Sequence, residues 1–522
     1  MKKILFLLAL ASIIIVSILA VLLPKDAEDK RMADLKKKYS IKDSIPADHT
    51  KFEVLQKKFN SPSEVTEACL SCHTERGREV MRSSHWNWER TEYIKGKGIV
   101  RIGKKNAINN FCIGTEGNEQ SCAKCHIGFG MTDSMFSYTD QKNIDCMVCH
   151  DNTETYVKGN EKAGYPDAGL DLQKIATGIG KPKRSNCGVC HFFGGGGNNV
   201  KHGDLEKSMF EPTKEIDVHM ATDGPNMQCV DCHQTSGHRM LGKVYSLSSM
   251  NKDRSECEQC HTESPHESST LNEHTLKVAC QTCHIPVYAK VNSTKMEWDW
   301  STAGQLRDGK PFEIDDSLGN HEYISIKGSF KWERNVTPDY IWFNGTADHY
   351  LLGDKIQDTS AVLMLNALNG SYNDKNSKII PVKIHRAKQP FDPVTGMLLQ
   401  PKLFSSKSGE GAFWKDFDWI RASEVGMKEV GLPFSGKVSF INTEMNWPVN
   451  HMVSKKEESL KCTDCHTQTN SRLAGVPGFY MPARDRSSII DYSGAGIILI
   501  TILGVAVHLS FRLVSRMNRK VK

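Results

Sequence analysis

Eight times along its 522 residues the chain repeats one pattern: cysteine, two variable residues, cysteine, histidine. The copies are Cys69-Cys72-His73, Cys122-Cys125-His126, Cys146-Cys149-His150, Cys187-Cys190-His191, Cys229-Cys232-His233, Cys257-Cys260-His261, Cys280-Cys283-His284 and Cys462-Cys465-His466. They use all but one of the 17 cysteines, and an odd total excludes a closed disulfide framework. With 20 histidines in the chain, eight trailing histidines by chance would occur on the order of once in 10¹¹. Zinc ribbons and thiol–disulfide sites use C-x-x-C without needing histidine next to the second cysteine. A c-type haem needs both: two thiols tether the porphyrin and the following imidazole binds iron.

The expected fold class is therefore a multihaem cytochrome c, mainly α and irregular, packed around eight covalent haems. Some strand is expected in its haem-free segment, and transmembrane helices at its ends. Eight flat apolar cofactors replace much of a side-chain core, which suits an apolar fraction of only 39%. They also change the electrostatics. The formal charge is +6, but each bis-imidazole ferric haem with ionised propionates adds about −1, giving about −2. That removes the case for a nucleic-acid partner.

Residues 4–23 are uninterruptedly apolar after Lys2 and Lys3, long enough to cross a bilayer. They read as a retained anchor or a cleaved signal peptide, and either exports the body. Residues 24–60 read as a charged stalk. Near the other end, 490–511 reads as a transmembrane helix and 512–522 as a basic cytoplasmic tail, with Arg512, Arg516, Arg519, Lys520 and Lys522. This places the protein in a bacterial inner membrane with its haem body facing the periplasm. His508 falls inside that helix and reads as an interfacial histidine or a contact to a membrane partner.

Between the ends, 61–286 holds seven motifs at short intervals, which forces the haems close together. Residues 287–455 form a haem-free insertion covering the array, with 359–368 as its best helix candidate, and 456–487 carries the eighth motif. Every haem needs a distal ligand or an open position. With His49 assigned to the stalk, the favoured distal histidines are His85, His202, His219, His238, His266, His274 and His451, with His321, His349 and His385 in reserve. A glycine run at 194–197 and the lone Cys112 suggest more than conduction.

Taken together, the motifs, the segment Asn109-Asn110-Phe111-Cys112, residues 194–205, 278–286 and Trp447-Pro448-Val449-Asn450-His451 resemble the octahaem tetrathionate reductases. These are relatives of hydroxylamine oxidoreductase and the multihaem nitrite reductases. The resemblance spans about 60–480. It implies that the motif-2 haem, held by Cys122, Cys125 and His126, takes Lys201 as distal ligand and is the catalytic haem, with Cys112 beside it. The family pattern has Asp where this chain has Asn198, which leaves the proton source or the substrate different. A small sulfur or nitrogen oxyanion would be the substrate, reduced with electrons from a quinone pool or a cytochrome b type partner. Hydroxylamine oxidation and a non-catalytic conduit are the alternatives.

Overall fold

In the computed structural model, residues 47–111, 114–242, 250 and 254–518 are described. The N-terminal apolar run and Cys112 lie outside them. The chain divides into two compact units, one ending at Ser459 and the other beginning at Leu460.

The first unit opens with short helical turns, and almost every motif sits on one. The helix Pro62–Cys72 is capped by the Ser61 side chain, which accepts from the Glu64 amide, and has Pro62 in its first turn. Motif histidines end helical turns at Met147–His150, Arg184–His191 and Cys280–His284. The expected stalk stops earlier than residue 60. Leu55 and Phe59 are buried with Val65, Ala68, Phe129 and Ile175, so the chain from Asp48 onward belongs to the body. Apolar burial outweighs the charged composition that suggested a solvated rod.

A hairpin pairs β1 (Glu89–Ile94) with β2 (Gly98–Gly103), and a short ribbon pairs β3 (Thr235–Ser236) with β4 (Arg239–Met240). The haem-free insertion is far more regular than expected. It forms a ten-stranded sheet whose centre is β12 (Lys378–Asp392) against β14 (Ser439–Pro448). On one side of this pair β11 (Leu363–Leu368) runs parallel to β14, and on the other β5 (Thr294–Asp299) runs parallel to β12. The candidate helix at 359–368 is thus a strand. Leu365 and Asn366 are its buried positions, and they pack into the sheet core, where tertiary pairing overrides a weak helical pattern.

Strands β12 and β14 are antiparallel, with Lys383 opposite Trp447 and Val382 opposite Pro448. Their inner face carries Phe391, Ile441, Met445 and Trp447, packed with Phe111 and Val200. The sheet therefore forms a wall directly beneath the glycine-rich loop.

The second unit carries the eighth motif on the turn Cys462–Cys465. It ends in a 31-residue helix, Ser488–Asn518, whose stretch Ser488–Arg516 is long and apolar enough to cross a membrane.

Candidate functional site

None of the sixteen motif cysteines is in a disulfide. Cysteines or histidines from each of the first seven motifs line one continuous cavity of about 2860 Å³, several times the size of an ordinary small-ligand pocket. Thiols of different motifs meet side by side: Cys69 with Cys146, Cys125 with Cys190, Cys187 with Cys229, and Cys257 with Cys280. Tethers from separate motifs thus converge, which brings their cofactors close together.

Six motif histidines each face a second histidine across a nearly constant gap. Ring centroids are 6.3 Å apart for His73 and His49, 6.4 Å for His150 and His238, and 6.2 Å for His191 and His85. They are 6.2 Å apart for His233 and His451, 6.1 Å for His261 and His219, and 6.2 Å for His284 and His266. Two metal–imidazole bonds of about 2 Å each, plus half a ring on either side, come to the same distance. Each gap therefore accepts one iron with an imidazole on both sides. The unbridged thiols, the shared cavity and these gaps fit covalent c-type haem.

His49, which the sequence places in the stalk, instead faces the motif histidine His73. The signal available was the apolar pair Leu55 and Phe59 just after it, which anchors this segment. His202 departs from expectation in the other direction. Among the described residues no motif histidine faces it, and its ring meets the edge of Trp447 at 5.0 Å. Burial holds its pKa well below the ordinary histidine value. For His274, Nδ1 is 2.6 Å from the Thr270 carbonyl. The reserves are divided. His321 pairs with Asp315 at 2.6 Å on the surface, His385 is buried with Nδ1 3.1 Å from Asn110 Oδ1, and His349 is buried in β10 (Ala347–His349).

Several rings are oriented by hydrogen bonds from Nδ1. Backbone carbonyls serve His150 (Gly180, 2.9 Å) and His233 (Leu241, 3.0 Å). Carboxylates serve His238 (Glu79, 3.0 Å) and His451 (Asp204, 3.1 Å). Burial alone would lower the His451 pKa, but Asp204 outweighs it and the net shift is upward.

Motif 2 is different. His126 leaves its turn in extended conformation, and its ring lies among Trp86, Trp88, Phe136 and Tyr138. Nε2 is 2.6 Å from the Trp86 carbonyl, and Nδ1 is buried without a hydrogen-bond partner. Burial lowers its pKa to about 3. The expected iron ligand therefore faces an aromatic box, and binding iron requires this side chain to swing toward the cavity.

Lys201 lines the cavity. Its Nζ stands 4.8 Å from the Trp447 ring centroid and 5.5 Å from that of Phe111. Burial, with a smaller contribution from the charge on Lys104, brings its pKa down to about 7, while Cys125 of motif 2 acts in the opposite sense. The glycines let the loop close over this side chain. Gly195 and Gly196 have φ of 83° and 90°, and a Cβ on Gly195 would lie 2.7 Å from Phe111. Asn198, the third candidate catalytic residue, accepts the Lys207 amide at 2.7 Å through Oδ1 and closes the loop. An aspartate would accept the same bond, so the exchange preserves the local conformation.

Comparison with known proteins points to cytochromes c. The family described as bacterial cytochrome c matches residues 295–469. An uncharacterised protein of Archaeoglobus fulgidus is 28% identical over 241 residues, which is 37% of this chain and 79% of that one. The crystal structure of an octahaem cytochrome c from Shewanella oneidensis superimposes with a TM-score of 0.75 at 44% identity, covering 81% of this chain and 95% of the other. With thiols, facing imidazoles and a shared cavity in place, the chain belongs to the octahaem cytochromes c.

Proposed function

We propose that the protein carries eight haems and is a membrane-anchored reductase whose substrate binds at the motif-2 haem, with Lys201 as exchangeable distal ligand. One observation carries the reading. Among the described residues of the first unit the six other motif histidines are each matched, whereas motif 2 has no facing histidine and half-buried Lys201 stands at the cavity wall within electrostatic range of Cys125. His274 remains a distal candidate.

The haems supply electron storage and transfer, and the motif-2 iron supplies the position at which a substrate binds. The protein residues do the rest. Lys201 would hold the iron as a neutral amine, a form favoured by its lowered pKa. Once displaced it takes up a proton and becomes a cationic donor for an oxyanion, reinforced by Lys104 on the same cavity wall. Trp447 and Phe111 keep water from its amine. Cys112 follows Phe111 directly in the chain and is a candidate contact for a sulfur substrate. Tetrathionate, nitrite and hydroxylamine are the substrate class. The helix Ser488–Asn518 anchors the body with its basic end in the cytoplasm, and a membrane quinol or cytochrome b type donor feeds it.

A conduit is the second reading, because six facing histidine pairs equally suit electron transport between membrane and periplasmic partners. Titration of the oxidised protein with nitrite, hydroxylamine and cyanide, followed by EPR, separates the two. The reductase reading expects one haem to respond, and Lys201→Ala to alter tetrathionate or nitrite turnover at unchanged haem content. A spectrum indifferent to all three ligands refutes it.

A further inference from the structure

We propose that Lys383 is the positioning residue that holds Lys201 in place for ligation, clamping its backbone from the sheet wall. This rests on the reading of Lys201 as a distal ligand.

Lys383 lies on β12 and is fully buried. Its Nζ meets three acceptors: the carbonyl of Val200 at 2.8 Å, that of Lys201 at 3.2 Å and Thr294 Oγ1 at 2.7 Å. Thr294 Oγ1 donates onward to the Asn199 carbonyl at 2.5 Å. Three consecutive loop carbonyls, 199 to 201, are thus taken by two side chains of the sheet. The loop cannot satisfy them itself. Asn199 has φ of 56° and Gly203 of 89°, which break any regular backbone pattern, and buried carbonyls left unpaired are costly.

The same rung of the sheet holds the other end of Lys201. Trp447, opposite Lys383 in the β12–β14 register, lies beneath the Lys201 amine. One cross-strand pair therefore fixes both the backbone and the tip of the ligand. Close packing reinforces it, since a Cβ on Gly203 would lie 2.8 Å from the Tyr288 ring and 3.0 Å from Lys383 Cδ.

A contrast shows why a purely structural role explains less. Lys158 is also buried and donates to the carbonyls of His126 and Gly128 at 2.5 and 3.2 Å, but it has an ion-pair partner, Asp145, at 3.2 Å. The close partners of Lys383 are all neutral. A methionine would fill the same space without bringing an amine into an apolar wall, and the feature the amine adds is its hold on residues 200 and 201.

The test uses the full-length haem-loaded protein in detergent, with haem content measured for every variant. EPR gives the spin state at neutral pH, and cyanide is the exchange probe. Lys383→Met should retain its haems, gain a high-spin signal and bind cyanide about threefold to tenfold more tightly, the equivalent of losing about one hydrogen bond's hold on Lys201. Thr294→Val should shift both readouts in the same direction by less. Lys201→Ala separates the two layers of the argument. If its spectrum matches wild type, the ligand reading itself fails. If it changes while Lys383→Met and Thr294→Val keep wild-type spin state and cyanide affinity, the clamp is wrong. Should Lys383→Met not accumulate, Thr294→Val decides: wild-type readouts overturn the proposal, and a shift supports it.

Discussion

Replacing Asp204 by asparagine should raise the reduction potential of the motif-5 haem, the one set between His233 and His451. Asp204 is almost fully buried. Its Oδ2 accepts the amides of Asn450 and His451 at 2.7 and 2.9 Å, as well as Nδ1 of His451 at 3.1 Å. A carboxylate behind a ligating imidazole makes it a stronger donor, which favours ferric iron and lowers the potential. The amide oxygen of Asn keeps hydrogen-bond capacity for the backbone but loses the charge. A hydrogen bond to an ionised partner exceeds a neutral one by about 1 kcal/mol, equivalent to about 45 mV in a one-electron couple. The expected change is a rise of about 30–60 mV at this haem, with the others within about 10 mV. An EPR-monitored redox titration reads it as the component that shifts between wild type and Asp204→Asn, from a pair whose imidazole planes lie 29° apart, as in the 8° and 33° pairs and unlike the 69° and 71° of the other three. A shift downward, or none, would refute the argument that Asp204 tunes His451.

Glu79→Gln should shift the motif-3 haem in the same direction but by less, because the Glu79–His238 contact is partly solvated; the same titration reads it. His49→Ala should leave haem content intact and convert one low-spin haem to high-spin or water-ligated form in EPR, since His49 faces His73.

The eight C-x-x-C-H motifs were legible in the sequence because haem attachment is local chemistry, complete within five residues. Distal ligands are contributed by the fold and arrive from distant positions: His85 faces His191, and His451 faces His233. His49 lies in a charged segment that reads as a solvated stalk, and His202 was favoured for its place in the haem-dense segment, whereas its ring packs on the edge of Trp447. The sheet was illegible for a related reason. Leu363–Leu368 buries two adjacent positions, Leu365 and Asn366, and exposes Met364, so it follows neither a clean helical nor a clean alternating period. The position of Asn198 was readable, but its hydrogen bond to the Lys207 amide was not.

Near-infrared magnetic circular dichroism of the oxidised protein tests the central claim most directly, because its charge-transfer bands report axial ligand type. The account predicts one histidine–amine haem against a background of bis-histidine haems, with the amine band disappearing in Lys201→Ala. Eight bis-histidine haems, or an amine band that survives Lys201→Ala, would contradict it.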